Sequence, residues 1–352
     1  MSGVNIQILK ALHGDAFVLH CKKGEAEGVV VVDGGPHADS QNVISVFDSI
    51  GVIDLMVLTH YDLDHIGGII DFVERHKNDK PFPVKEIWCN CAYEVPVTPS
   101  ADVSYTHAKK LADLLREINE GLAADGYEEV DWKETLIAGQ VRRKPYADFN
   151  ILSPESVVKT ANDEKYQDEV ANISASHKRQ KIALSTSLED LSKNKKEEPS
   201  TNDKSELINW SSIAFYLNCD NFSILMLGDS FPGSVIKGLK QFGYSESNRL
   251  PVDYVKVSHH GSKNNISNTL LNMVDCHQYI ISTNGGQGIV CHPDRETIGN
   301  ILYHPKRDLD KKVKVYFNYP KSLIEANGYP FLNEGEDAQA NFEVQYDTEN
   351  LQ

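Results

Sequence analysis

The segment Thr59-His60-Tyr61-Asp62-Leu63-Asp64-His65-Ile66-Gly67-Gly68 places two histidines and two aspartates within six residues, directly after the apolar run Leu55-Met56-Val57-Leu58. A buried strand that stops at such a cluster can turn all four side chains towards one point. The competing reading is a solvated polar loop, which accounts for the acids but not for the strand that precedes them or for the clusters elsewhere in the chain.

Those other clusters obey the same rule. Val29-Val30-Val31-Val32 runs into Asp33-Gly34-Gly35, and Ile224-Leu225-Met226-Leu227 into Gly228-Asp229. The stretch Val252 to Val257 ends at Ser258-His259-His260-Gly261-Ser262, and Ile280-Ile281-Ser282 leads on to Cys291-His292-Pro293. Open α/β sheets hold ligands beyond the carboxyl ends of their strands, so these loops are expected to converge. Helical spacing of apolar residues from Ala108 to Leu122 predicts a helix flanking the sheet.

The H-x-D-x-D-H pattern resembles the metal-binding signature of the metallo-β-lactamase superfamily, whose usual form is H-x-H-x-D-H. Asp62 stands where that form has its second histidine, a variant typical of the branch containing the competence protein ComEC and the phosphorylcholine esterases. His13-Gly14-Asp15-Ala16, Asp33-Gly34-Gly35, Leu227-Gly228-Asp229, the His-His-Gly-Ser segment and Cys291-His292-Pro293 fit the same branch. The resemblance implies a four-layer αβ/βα sandwich, two mixed β-sheets face to face with helices outside. It also implies metal ligands at His60, Asp62, Asp64, His65 and Asp229, with Asp229 bridging two divalent ions, zinc or manganese, or else iron.

Where the superfamily usually supplies a further histidine, this chain has Ile208-Asn209-Trp210-Ser211-Ser212. One ion is left short of a ligand. His259 is assigned to a metal, His260 to the second ion or to the substrate, and His292 to the substrate's oxygens. Asp229, His260 and His292 are thus the residues expected to touch the reacting groups. Asp33 is expected to brace a ligand histidine from behind.

Composition bounds the partners. Acidic residues outnumber basic ones 51 to 35, a formal net charge of −16. Phosphate backbones would meet net repulsion, so non-specific nucleic-acid binding is not expected, whereas two buried divalent cations would offset about four charges locally and admit a small anionic substrate. No stretch is apolar enough to span a bilayer and no signal-peptide pattern opens the chain, giving a cytoplasmic protein without membrane contact as the expectation. The six cysteines are scattered and expected to be reduced; the Cys89–Cys91 pair lacks the spacing of common zinc sites.

A single domain over residues 1–335 is expected, with a charged, mobile or loosely helical insertion at about 160–207 and an acidic C-terminal tail over 336–352. The expected function is hydrolysis of a phosphodiester or other phosphate ester. Two alternatives are hydrolysis of an acyl substrate such as a lactone or thioester, and a partner-dependent nuclease or effector that engages another protein through the insertion.

Overall fold

A computed structural model describes residues 5–91, 103–168, 186–193, 206–286, 291–326, 330–336 and 341–352. Two mixed sheets lie face to face. The first runs Asn350–Leu351, Ile6–Ile8, Phe17–Lys23, Ala26–Val32, Leu55–Val57, Ile87–Trp88, antiparallel at its start and parallel from Ala26–Val32 onwards. The second runs Phe342–Gln345, Val313–Phe317, Gln278–Ile281, Tyr254–Lys256, Ser223–Met226, Ala214–Asn218, Ala147–Ser153, Val141–Lys144. Its first five strands are parallel and its last three antiparallel.

Period-two alternation sorts the side chains into layers. Phe17, Leu19, Val30, Val32, Leu55 and Val57 meet Phe149, Phe215, Ile224, Met226 and Ile280 between the sheets. The alternate residues Val18, Val31, Met56 and Leu58 face outward onto the helices Ser40–Ile50, Leu63–His76 and Val103–Ala124. On the far side Leu225, Leu227, Val255, Val257 and Ile281 pack on Pro232–Gln241, Asn268–Asn272 and Arg295–Tyr303. Each such fully buried aliphatic side chain contributes roughly 1.5–3 kcal/mol. This is the expected sandwich, and the expected helix lies within Val103–Ala124.

Glycines let the strand-end loops touch. A Cβ on Gly68 would overlap the carbonyl of Gly34, and one on Gly14 the carbonyl of Asp64. The backbone contacts they permit are direct: Gly68 N–H donates to Gly35 O at 2.8 Å and Gly34 N–H to His65 O at 2.9 Å.

The Cys89–Cys91 pair and the C-terminal stretch differ from their sequence reading, while the described parts of the insertion lie largely in the helices Ser156–Asp168 and Leu188–Ser192. Cys89 and Cys91 are joined by a disulfide, because left-handed Asn90 (φ 49°) between them brings their Cα atoms to 5.2 Å, closer than a regular strand would. The four other cysteines are buried. Of the charged insertion, residues 169–185 and 194–205 lie outside the described residues; Leu188 and Leu191 are buried, and the Leu188 carbonyl packs against Gly299 of the helix Arg295–Tyr303. The C-terminal segment supplies an edge strand to each sheet, Phe342–Gln345 and Asn350–Leu351, and Glu336 forms an ion pair with buried Arg295 at 2.7 Å. Among the described residues no helix is long and apolar enough to cross a membrane.

Candidate metal centre

The strand Leu55–Val57 leads through Leu58 to Thr59, and the helix Leu63–His76 begins after Asp62, which sits at its N-cap in extended conformation without capping the helix through its side chain. That carboxylate is therefore available elsewhere: Oδ1 accepts from Ser104 Oγ at 2.9 Å and Oδ2 lies 3.6 Å from His60 Nε2. Asp64 and His65 follow in the first helical turn, where the helix dipole favours the carboxylate.

From the second sheet, Gly228 turns the chain in left-handed conformation after Ser223–Met226 and presents Asp229, whose N–H donates to Ser212 Oγ at 3.0 Å. The loop after Tyr254–Lys256 puts two successive histidines in the left-handed region, His259 at φ 49° and His260 at φ 54°, with Gly261 at φ 88° behind them.

Around Asp229 the side chains divide into two groups. Its Oδ2 lies 3.8 Å from His60 Nε2 and 3.6 Å from His259 Nε2, on the side where Asp62 approaches. Its Oδ1 lies 3.5 Å from His65 Nε2, and there Asp64 Oδ2 is 3.9 Å from His65 Nε2 and 3.3 Å from His260 Nε2. The first group forms an outer half-site, with the Asp62 and His259 side chains 37% and 30% exposed; in the inner half-site His65 and His260 are 0% and 5% exposed.

Each imidazole spends its Nδ1 on an acceptor. His65 donates to Asp33 Oδ2 at 2.8 Å, and His60 to Thr59 Oγ1 at 3.1 Å, while that hydroxyl donates to Asp33 Oδ2 at 2.8 Å. His259 donates to Asn265 Oδ1 at 3.1 Å and His260 to the Ser282 carbonyl at 3.0 Å. All four Nε2 atoms are thereby turned on the space about Asp229. His60 Nε2, His65 Nε2, His260 Nε2 and Asp229 Oδ1 are buried without a hydrogen-bond partner, which would be costly unless a cation completes them. Ligands about 2.0–2.2 Å from a tetrahedral ion lie roughly 3.3–3.6 Å from each other, close to the separations here. The nitrogen and carboxylate set fits a divalent transition metal in each half-site.

The electrostatics agree. Burial would push the carboxyls of Asp64 and Asp229 up, but the facing imidazoles hold both well below the usual carboxylate range, His65 and His260 for Asp64, His259 and His65 for Asp229. Burial opposes a charge on His260, yet Asp15 beside it raises the ring to about 10; His259, with burial dominant, falls to about 4. The cluster is a concentration of anions and lone pairs with room for positive charge.

His292, also expected here, stands beside His259 with ring centroids 5.5 Å apart, and its Nδ1 lies 3.6 Å from Asp294 Oδ2. Asn209, in the place of the absent histidine, sits in the short helix Leu207–Trp210 with its Oδ1 buried and unpaired. Sequence reasoning passed over Asp15, Lys256 and Asn265 as site residues. The lysine had a signal, a charge inside the strand Tyr254-Val255-Lys256-Val257; the asparagine had none.

Residues 10–141 match the family model for the metallo-beta-lactamase superfamily. The fold is that of the metallo-β-lactamase superfamily. No curated protein matches the sequence. Solved structures with this metallo-β-lactamase likeness include Zn(2+)-bound PqqB from Methylobacterium extorquens, 11% identical over 99% of each chain with a TM-score of 0.43. The metallo-beta-lactamase fold protein YhfI from Bacillus subtilis is 9% identical over 98% of this chain and 96% of its own, TM-score 0.42. A metallo-β-lactamase of Cronobacter sakazakii is 10% identical over 71% of this chain and 76% of its own, TM-score 0.32. These identities are too low to carry a substrate from one chain to another.

Proposed function

We propose that this chain is a metal-dependent hydrolase of phosphate esters, with a phosphodiester as its substrate and two divalent ions bridged by Asp229. One observation carries the reading: four imidazoles, each anchored at Nδ1, aim Nε2 into a space shared with Asp62, Asp64 and Asp229. His60, Asp62, Asp229 and His259 would hold one ion, and Asp64, His65, Asp229 and His260 the other. A pair of ions bound there supplies an acidified water at neutral pH and neutralises the oxygens of a scissile phosphate.

The protein's own groups do the rest. Asp33 fixes the His65 ring through Nδ1 and, through Thr59, the ring of His60. Asn265 ties His259 to Asp229 by accepting from the ring and donating to the Asp229 carbonyl at 2.9 Å. His292, with Asp294 Oδ2 3.6 Å from its Nδ1, stands beside His259 where it can donate a hydrogen bond to the departing oxygen. Carboxylate at position 62 in place of imidazole hardens the outer half-site and favours manganese or iron there as well as zinc. The H-x-D-x-D-H motif resembles that of the branch of ComEC and the phosphorylcholine esterases, which also carries the aspartate at this position. Net charge favours small phosphodiesters over long duplex DNA.

The test is elemental analysis of the purified protein together with chromogenic phosphodiester, phosphomonoester and lactone substrates in the presence of Mn²⁺ or Zn²⁺. Phosphodiester hydrolysis is expected to exceed the other two. Cleavage of lactones alone would replace this reading with acyl hydrolysis, and efficient cleavage of long DNA without a partner would favour a nuclease.

A further inference from the structure

Lys256 has no exposed surface. In its strand Val255 faces the helices and Tyr254 faces the opposite sheet, so alternation sends the lysine between the sheets, among side chains that are otherwise apolar. Its ammonium pairs with Asp15 from the first sheet, donates to the Gly228 carbonyl at 3.1 Å, and lies 3.9 Å from Asp229 Oδ1. Asp15, equally buried, places Oδ1 3.4 Å from His260 Nδ1. Burying such a pair is expensive, and well-packed apolar side chains would serve stability as well or better. A role beyond stability is called for.

The contacts point to it. Lys256 grips the residue before Asp229 and, through Asp15, the ring of His260. The second contact acts on the inner half-site alone, and the first steadies Asp229, which both halves share, from the side of its inner oxygen Oδ1. The outer half-site is backed less directly: His60 rests on the Thr59 hydroxyl, which in turn donates to Asp33, and His259 on the neutral Asn265 amide. The inner half-site is also the drier, and its His65 ring rests on the Asp33 carboxylate. Ionic partners behind a ligand fix its orientation and strengthen it as a donor.

We propose that Lys256 is a positioning residue for the inner half-site: by locking Asp15 and the Gly228 carbonyl it holds His260 and Asp229 in place, so that this half-site takes its ion first and holds it more tightly. The proposal rests on the two-ion reading above. The charge of Lys256 alone would repel a nearby cation, but with Asp15 the pair is neutral overall, so position and not charge is its contribution to ion binding.

The decisive variant is therefore the double substitution Lys256→Met with Asp15→Asn, which leaves the pair's net charge at zero while removing its grip. Zn²⁺ is titrated into metal-free protein against a chromogenic chelator, and the unfolding temperature of the metal-free form is recorded alongside. The unmodified chain is expected to bind two ions in two steps, with His259→Ala weakening the second step and thereby assigning it to the outer half-site. In the double variant the tighter step should weaken at least about tenfold while the other changes by less than about threefold. If only the unfolding temperature falls and the ratio of the two affinities stays as it was, Lys256 is merely structural and the proposal is overturned. Lys256→Met alone, which leaves the Asp15 carboxylate charged and by charge alone would favour a cation, should nevertheless weaken the same step, and decides the matter if the double variant does not fold. Uptake of no more than one ion by the unmodified chain would instead bring down the two-ion reading, and the proposal with it.

Discussion

The six-stranded sheet delivers His60, Asp62, Asp64 and His65 on one turn between a strand and a helix, whereas the eight-stranded sheet delivers Asp229, His259, His260 and His292 from three separate loops. On the first side the helix Leu63–His76 sets the spacing with ordinary backbone angles, and the left-handed residues Leu12 (φ 56°), Asp33 (φ 58°) and Asn90 (φ 49°) lie outside the His60–His65 turn. On the second side His259 and His260 themselves sit in left-handed backbone, at about 1–3 kcal/mol each for non-glycine residues. Hydrogen bonds offset that strain: His259 N–H to the Gly228 carbonyl at 3.0 Å, Ser258 Oγ to the Ser230 carbonyl at 2.8 Å, and Thr297 Oγ1 to the Gly261 carbonyl at 2.7 Å. One half of the centre is built by regular secondary structure and the other by tertiary contacts.

Asp229 is the one residue both halves depend on, so Asp229→Ala should erase the distinction between them. Activity is expected to fall by on the order of a thousandfold or more, with loss of at least one ion by elemental analysis. Full activity in this variant would refute the whole site assignment. His292→Ala sharpens the comparison by removing a group of the eight-stranded side that holds no ion: kcat should drop about a hundredfold with metal content unchanged. Loss of an ion along with the rate would make His292 a ligand.

Asp33→Asn tests the six-stranded side in turn. It weakens the brace on His65 and His60 together, and metal affinity measured by chelator competition should fall roughly 10- to 100-fold. Unaltered affinity would mean the helix alone orients these rings.

The smallest effect concerns acid. His304, whose Nδ1 donates to Asn272 Oδ1 at 3.2 Å, belongs to the helix layer of the eight-stranded side, and burial lowers its imidazole from 6.5 to about 4. As pH falls the unfolded chain takes up this proton before the folded one, so the stability contributed by the neutral ring is complete above about pH 6.5 and is lost as pH drops towards 4. The loss is on the order of 3 kcal/mol at most. Hydrogen exchange at pH 5 should open the helix Arg295–Tyr303 before the helix Leu63–His76, and His304→Gln should remove that order.

The same contrast governs what could be read from the chain. His60 to His65 was legible because strand, turn and ligands are contiguous, and apolar runs ending in Gly-Asp or His-His-Gly marked the other loops. Which histidine of the pair serves which half-site was not legible, since it depends on two consecutive left-handed residues. Asp15 and Lys256 act across a long sequence separation and only the apposition of the sheets brings them together, whereas Asn265 joins two loops of the same sheet. The C-terminal strands were obscured by their acids, whose partners, such as Arg295 for Glu336, lie far back in the chain. Leu188 and Leu191 are two apolar residues in a polar stretch, too few to announce a buried turn.

The missing side chain of Gly68 bears on how this centre can change over generations. With the Gly34 carbonyl where a Cβ would stand, no residue other than glycine fits without lifting the start of the helix Leu63–His76, and Asp64 and His65 would move together with it. The helix that carries the ligands is thus seated without slack. A lineage of this protein has no sequence of mild replacements at Gly68 along which the inner half-site loosens by degrees; it keeps the site whole or abandons it in one step.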